Sequence, residues 1–469
     1  MLKKAILLVS GSAFGSLLQL LRNLIVARLV SPENYGIAST LAISMSIVEM
    51  LSYLGLNLLM VVDKDGDNPH FQAAMHGFQA LRGVFSCAAL YVIARPYASF
   101  LGIEQVTWAY QMMALVPLIN GLQHYDPHRL RRKMIFLPTT LANSVPPLIS
   151  VLSVWPATLI YGDYRIMLVA LFVQAFTMVI LSHVTAERWY RITLDIELMR
   201  KATKFGWPLL LNGILLFGVF NGERLIVARE LGIGQFAFFS MAFTLTLTPT
   251  LVLASSCQSL FLPQLSTARE NPVVFQRTAI TTMETSLVIA LLLILGTSLI
   301  GGPLSHLLTG PKYLAILPIL VPMAVLQALR VAKTGSGVVA LAIGQTGNSA
   351  VGSLVRVASL PVSWWVAIKT GDVLSIIWIG CVAEVIGYVL SMYLAAHRAK
   401  IRLGSLLVPT CLTALTCAVA LFDALYYPPM PDFLDHMHAF QLLVAAVGLV
   451  TFFSMGELRR YVFQRFRPR

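Results

Sequence analysis

The chain consists of long apolar runs joined by short polar connections along nearly its whole length. Each run is close to the roughly 20 residues with which a helix crosses a bilayer core about 30 Å thick. No stretch has the strict alternation typical of a membrane-spanning strand. The pattern predicts an all-α polytopic membrane protein of about fourteen transmembrane helices, at residues 5–29, 37–62, 73–95, 106–125, 135–157, 164–184, 205–227, 236–260, 279–301, 313–331, 338–367, 372–395, 403–424 and 438–457. The glycine-rich stretch GSGVVALAIGQTGNS blurs the boundary between the tenth and eleventh runs, so totals of twelve or thirteen stay open.

Composition agrees with a membrane protein, since 57% of the residues are hydrophobic and only 12% are charged. A soluble domain neither needs nor tolerates so much apolar sequence. The five cysteines lie within apolar runs and form no CxxC pair, which predicts buried free thiols. In a soluble protein the net charge of +13 would suggest that the partner is a nucleic acid. In a membrane protein the basic residues are first sorted by the side of the membrane on which they lie.

The basic residues favour one side of the membrane. With the N-terminus inside, 24 of the 34 Lys and Arg, including Arg330 and Lys333, fall at inner ends of the runs and 6 at outer ends. This positive-inside bias predicts a multi-pass protein of the bacterial inner membrane with both termini cytoplasmic. The basic tail ELRRYVFQRFRPR is then explained by attraction to anionic membrane lipids, and no nucleic-acid partner is expected.

The pentapeptide LIVAR occurs twice, at residues 24–28 and 225–229, each time closing the first run of a six-run block. At the same offset Tyr35 corresponds to Phe236 and Ser39 to Ser240. The match predicts a duplication with both halves inserted in the same direction. The expected domains are an N-terminal lobe at 1–200, a C-terminal lobe at 201–400, and two further helices with a cytoplasmic tail at 401–469.

Several charges lie inside the apolar runs, where a cation costs roughly 2.5 to 3.5 kcal/mol even on a mild scale. Such residues usually face a cavity or a partner, and several arginines around one cavity suit a diphosphate because guanidinium groups form bidentate bonds to phosphate. The candidate diphosphate ligands are Arg22, Arg28, Arg82, Arg224 and Arg356. The alternatives are structural: Arg224 pairs with Glu223 or Glu230, and Arg28 and Arg229 anchor helix ends at headgroups.

Acidic residues within the runs are candidates for proton or ion coupling. Burial of Glu49 or Glu384 would let either bind and release a proton, whereas a buried salt bridge with an arginine is the alternative. Glu223, next to Arg224, is the third candidate.

Motifs of catalysis and cofactor binding are absent from the sequence: it has no Walker loop, HExxH, GxSxG or GxGxxG. The loops are too short for an extramembrane catalytic domain. His436 and His438, with Asp432 and Asp435, are better explained as a solvated loop than as a metal site. We therefore expect that the protein is not an enzyme and that it binds no cofactor and no metal.

The stretch RNLIVARLVSPENYGIASTLAISMSIVEMLSYLGLN, residues 22–57, resembles the opening of the polysaccharide transporter family. This family comprises the O-antigen and exopolysaccharide flippases of the multidrug/oligosaccharidyl-lipid/polysaccharide exporter (MOP) superfamily, and its first helix ends in a turn like LVSPENYG. A second copy of the theme, KFGWPLLLNGILLFGVFNGERLIVARELGIGQFAFFS, follows at residues 204–240. Where many members carry an Asp in the charged pair of the seventh helix, this chain has Glu223.

The resemblance implies movement of an undecaprenyl-diphosphate-linked oligosaccharide between leaflets, for O-antigen, capsule or exopolysaccharide. It implies alternating access through an arginine-lined cavity, with the diphosphate role mapping most directly onto Arg22 and Arg28. A polymerase and a chain-length regulator of the same pathway are the expected partners. The alternatives are a multidrug or cation antiporter of the same superfamily, whose cavity should be acid-lined, and a membrane polysaccharide polymerase or ligase, which should carry a large outer loop.

Overall fold

The computed structural model describes residues 2–345, 347–427 and 439–466. Within these ranges the chain forms helices and turns and has no strand, which confirms the all-α fold class. Contacts divide the chain into two compact units, unit 1 (Met1–Ala237) and unit 2 (Phe238–Arg469). The prediction of lobes at 1–200 and 201–400 stays a prediction.

Unit 1 is built from helices whose starts are set by local sequence. Ser31 caps α2 by accepting a hydrogen bond from the Asn34 amide, and Pro32 follows at the first helical position. Asn68 and Asp195 cap α4 and α10 in the same way. The helices are α1 Leu2–Leu29, α2 Pro32–Leu51, α3 Leu56–Val62, α4 Pro69–Phe100, α5 Thr107–Met113, α6 Leu115–Gly121, α7 Asp126–Arg132, α8 Leu137–Ile160, α9 Arg165–Val184 and α10 Ile196–Glu230.

Unit 2 is organised around one central segment, Pro311–Ala342. The helices are α11 Gly232–Ala268, which begins in unit 1, α12 Pro272–Thr309, α13 Leu317–Ala332, α14 Thr334–Ala342, α15 Gly347–Ala358, α16 Leu360–Thr370, α17 Val373–Ala399, α18 Gly404–Tyr426, α19 Ala439–Ser454 and α20 Gly456–Phe466. The segment Pro311–Ala342 contains α13 and α14, and 78% of the residues in its most apolar part are buried. It packs against α12 and α17, so it forms the core of this unit.

Each of the fourteen predicted runs coincides with one helix or with consecutive helices. Among the described residues, ten segments are long and apolar enough to cross a membrane, or eleven if Phe440–Ser454 and Gly456–Phe463 form one bent span. The number fourteen is therefore not confirmed. Part of the difference comes from breaks, since the run at 37–62 forms α2 and α3 and the run at 106–125 includes α5 and α6.

The predicted boundary between the tenth and eleventh runs is wrong. The tenth segment continues through Pro311–Ala342, past the predicted end at residue 331, and the next helix begins only at Gly347. Helix α14 is followed by Gly344 with φ of 81°, a conformation that glycine adopts without strain and that commonly ends helices. Gly335 and Gly337 lie inside α14, where they do not end the helix.

The break between α2 and α3 lies against α10. Gly55 there has φ of 61°, and a side chain at Gly206 or Gly213 of α10 would collide with the carbonyl oxygens of Leu54 and Met50. Small residues let helix backbones approach closely in membrane proteins. Helix α10 therefore packs directly on the interrupted second run within unit 1.

The two LIVAR copies occupy equivalent places, since each lies in the last turns of its helix, before the ends of α1 at Leu29 and α10 at Glu230. The turns that follow touch each other within unit 1, because a Cβ added to Gly36 would lie 2.5 Å from the carbonyl oxygen of Ile233. The corresponding residues Tyr35 and Phe236 are both buried. The repeat thus has the same local structure in both copies.

Candidate functional site

Arg22 is a buried cation held by neutral groups. It lies in α1 with 5% of its surface exposed. Its Nη1 donates to Ser150 Oγ of α8 at 3.2 Å and to Gln174 Oε1 of α9 at 2.5 Å. Neither partner carries a charge, so these hydrogen bonds orient the guanidinium without neutralising it.

Arg224 comes to the same place from α10. Its Nη1 donates to Asn221 Oδ1 at 3.3 Å, and its Cζ lies 5.9 Å from the centre of the Phe236 ring. Tyr35 of α2 is in electrostatic range of both Arg224 and Arg22. Arg22 and Arg224 therefore share Tyr35 as an electrostatic neighbour, a residue that the sequence analysis used only to mark the repeat.

Arg28 and Arg229, the arginines of the repeat itself, are both exposed. Arg229 Nη1 donates to the Phe100 carbonyl oxygen at 2.7 Å, and its Nε lies 4.0 Å from Glu230 Oε1. These contacts tie the end of α10 to the end of α4, and the anchoring of Arg229 at headgroups stays a prediction. Arg28 lies in the last turn of α1, and its diphosphate role stays a prediction.

Arg82 is half-buried in α4 and reaches the break after α2. Its Nη1 donates to the Ser52 carbonyl oxygen at 2.9 Å and lies 3.5 Å from Ser52 Oγ. The carbonyl groups at a helix end lack helical partners and carry partial negative charge. Arg82 thus stabilises the interrupted helix, and Glu49 on the same helix lies in its electrostatic range.

Four charged side chains form a buried cluster in unit 2. Glu384 of α17 is fully buried, with Oε1 at 3.0 Å from Arg330 Nε and 3.6 Å from Arg356 Nε. Its Oε2 lies 2.5 Å from Lys333 Nζ. Both carboxylate oxygens are therefore engaged by fixed cations, which is the salt-bridge alternative for Glu384. Its coupling role stays a prediction, as does that of Glu223, which is 3% exposed in α10.

The sequence analysis counted Arg330 and Lys333 at inner ends of the runs, and their side of the membrane stays a prediction. Both lie within the continuous segment Pro311–Ala342. The Lys333 ammonium fits between α15 and α17 where two glycines make room, since Cβ atoms added to Gly352 and Gly387 would lie 3.8 and 3.6 Å from its Nζ. The i, i+3 spacing of the two cations, which places them on one helix face, was the available sequence signal.

Another ionic cluster lies in the connections that the sequence assigns to the inner side of unit 1. Asp126 is fully buried. It accepts from Arg129 Nε at 2.6 Å and from the Glu187 amide at 2.7 Å. Burial opposes its ionisation, but the Arg129 and Glu187 hydrogen bonds prevail and hold the pKa of Asp126 below its usual value. Arg129 also bonds Asp67 at 3.2 Å. The cluster joins three connections of unit 1.

No group of three His, Cys, Asp or Glu in the described ranges is arranged to hold a metal ion. The sequence cluster of His436, His438, Asp432 and Asp435 lies outside the described residues.

Comparisons with known proteins agree on the family and the fold. A family model described as "Polysaccharide biosynthesis protein" matches residues 25–318. The teichuronic acid biosynthesis protein TuaB of Bacillus subtilis is 19% identical over 376 residues, covering 77% of this chain and 76% of that protein. The succinoglycan biosynthesis transport protein ExoT of Rhizobium meliloti is 24% identical over 247 residues, covering 51% and 48%.

Two solved structures share the fold. The lipid II flippase MurJ in an inward closed conformation aligns with a TM-score of 0.71 at 14% identity, covering 98% of this chain and 99% of that one. An inward-facing multidrug resistance MATE transporter of the MOP superfamily aligns with a TM-score of 0.64 at 12% identity, covering 84% and 98%. At these identities the likeness concerns the fold alone.

Proposed function

Since the chain belongs to the polysaccharide biosynthesis protein family, we propose that it is a flippase for an undecaprenyl-diphosphate-linked oligosaccharide. It moves repeat units from the cytoplasmic to the periplasmic leaflet of the bacterial inner membrane for O-antigen, capsule or exopolysaccharide synthesis. It forms no bonds in this substrate and so is not an enzyme. A polymerase and a chain-length regulator would receive the flipped unit.

The pair Arg22 and Arg224 around Tyr35 is the observation that carries the proposal. The positive charge of Arg22 is not compensated in its buried place, because its bonded partners, Ser150 and Gln174, are neutral. A diphosphate supplies the missing negative charge and accepts bidentate hydrogen bonds from guanidinium groups. Organic cations, the substrates of an antiporter, would be repelled by the same pair.

The other predicted residues take part as follows in this proposal. Arg28 and Arg356 complete the set of diphosphate ligands along the translocation path, whereas the diphosphate role of Arg82, which bonds the Ser52 carbonyl oxygen, stays a prediction. Glu49, Glu223 and Glu384 are the candidates for proton or ion coupling. The two lobes, 1–200 and 201–400, alternate in giving the substrate access to each side.

The test is deletion of the gene, with lipid-linked oligosaccharide in extracted lipids quantified by mass spectrometry alongside surface polysaccharide. We expect complete lipid-linked repeat units to accumulate and surface polymer to be lost. Wild-type protein should restore both, whereas Arg22→Ala and Arg224→Ala should restore less than a tenth of the polymer.

The matched control is Arg165→Ala, because Arg165 is 43% exposed and pairs with Asp163 in a loop. Exposed ion pairs contribute at most about 1 kcal/mol, so this variant should behave as wild type. Unchanged lipid-linked sugar together with increased sensitivity to cationic drugs would replace the proposal with a multidrug exporter.

A further inference from the structure

A polar cavity of about 230 Å³ lies inside unit 1. Its wall is formed at the break between α2 and α3, by α4, by the connection around α7, and by α8. The side chains that bear on its chemistry are Tyr53, Asn57, Gln79, Arg82, His128 and Asn143. Neither Arg22 nor Arg224 lines it, so this cavity is distinct from the arginine pair around Tyr35.

The wall residues have hydrogen-bonding capacity that their protein contacts do not use. Gln79 is 4% exposed, and its Nε2 donates to the Asn120 carbonyl oxygen, which fixes the orientation of the amide. Within the described part of the chain, Gln79 Oε1 and His128 Nδ1 have no hydrogen-bond partner. Arg82 uses only Nη1, on Ser52, among its described contacts. Gln79 Oε1 and His128 Nδ1 are themselves buried. The donors and acceptors of the wall come from the Arg82 guanidinium and the amides of Asn57 and Asn143.

The charge of the wall argues against a phosphate. Burial lowers the pKa of His128 to about 4, and burial also lowers that of His124. Both rings are therefore neutral at pH 7, and Arg82 is the one formal cation among the described residues that line the cavity. A phosphate oxygen only accepts hydrogen bonds and offers nothing to the amide oxygens of the wall, whereas a hydroxyl group both donates and accepts.

The volume of the cavity also favours a ligand that carries hydroxyl groups. The cavity has the volume of about eight water molecules at roughly 30 Å³ each, which is room for one sugar ring with its hydroxyl groups but not for a diphosphate-linked oligosaccharide. We propose that this cavity is a subsite for a single sugar residue of the transported glycan. The inference rests on the proposed flippase function, which it extends from the diphosphate to the glycan.

The test uses a substitution that fills the cavity and compares the binding of two lipids. Ala142 lines the cavity from α8, so Ala142→Leu occupies its space. Ala89→Leu adds the same bulk at an exposed position of α4 and is the matched control. Binding of two probes is measured on the purified full-length protein in proteoliposomes: the lipid-linked glycan extracted from the deletion strain, and undecaprenyl diphosphate without sugar. Asn143→Leu, which removes a polar wall group, serves as a second variant.

Both cavity variants should bind the glycan-bearing lipid at least tenfold more weakly while binding undecaprenyl diphosphate as wild type does, and Ala89→Leu should change neither. If both probes bind all variants as they bind wild type, the cavity holds only water and the inference is wrong. Equal weakening for both probes also overturns it. If wild-type protein binds neither probe, the flippase proposal itself fails, which is a separate result.

Discussion

At the scale of single residues, two buried charged groups are stabilised differently. Arg22 is surrounded by neutral polar groups, whereas Glu384 is bonded to cations through both oxygens. Removing one member of a buried ion pair leaves an uncompensated charge, which costs about 3 to 5 kcal/mol. The consequences of substitution therefore depend on how many partners remain.

We expect Glu384→Gln to destabilise the protein more than Lys333→Met. The first change leaves Arg330 and Lys333 facing each other without the carboxylate, whereas the second leaves Glu384 bonded to Arg330. The thermal unfolding midpoint of the purified protein in detergent measures the difference. Arg460→Met, which removes a 70% exposed partner of Glu457, is the control and should cost less than about 1 kcal/mol. A larger loss for Lys333→Met than for Glu384→Gln would contradict the assigned pairing.

His128 predicts a pH dependence of stability. Burial, followed by the nearby Arg131, lowers its folded-state pKa to about 4, whereas the unfolded chain binds that proton near pH 6.5. The unfolded state therefore holds more protons between these values, so stability is complete above about pH 6.5 and falls as the pH drops towards 4. The lowered pKa of Asp126 acts only at lower pH, because its ordinary value is already 3.8.

Unfolding midpoints at about pH 7.5 and about pH 5 test this, since the window lies between the two pKa values. The wild-type midpoint should fall by a few degrees, and that of His128→Asn should fall less. Equal slopes in both proteins would show that His128 does not titrate on unfolding.

At the scale of helices, charged residues are found where a helix is interrupted. Arg82 bonds the Ser52 carbonyl oxygen at the break after α2, and Lys333 lies at the junction between α13 and α14. Interrupted helices in membranes leave backbone groups that need partners from neighbouring side chains. The breaks thus place polar chemistry within segments that are otherwise apolar.

The packing of α10 on the break after α2 gives a test by substitution. Gly213→Ala places a Cβ against the Met50 carbonyl oxygen, which is backbone and cannot rotate away. We expect a loss of about 1 to 3 kcal/mol from overpacking, measured as a lower unfolding midpoint and lower surface polysaccharide. Gly234→Ala is the matched control, because none of the described residues lies within 4 Å of the added atom. Wild-type stability of Gly213→Ala would mean that α10 packs elsewhere.

At the scale of the whole molecule, the charge bias predicts orientation. Lys and Arg number 24 at the inner ends of the runs and 6 at the outer ends. In a background with the five native cysteines replaced by serine, Gly162→Cys should react with a membrane-impermeant maleimide on intact cells. Arg460→Cys should react only after the membrane is disrupted. The reverse pattern would invert the proposed topology.

The sequence by itself determined the helices and the family resemblance. Apolar runs of membrane length can satisfy their backbone groups only as helices, so their positions follow from composition. The boundary near Gly335 and Gly337 could not be predicted in the same way, because a glycine inside a packed membrane helix and a glycine in a loop look alike in sequence.

Only the tertiary structure decided which charged residues meet. The sequence marked Arg22, Arg224 and Glu384 by the cost of burying charge, but it contained no distances between helices. Contacts between residues far apart in the chain place Tyr35 in electrostatic range of two arginines and pair Lys333 with Glu384. Such contacts also form the polar cavity that Arg82 lines. Local periodicity cannot specify such contacts, because they depend on how the helices pack.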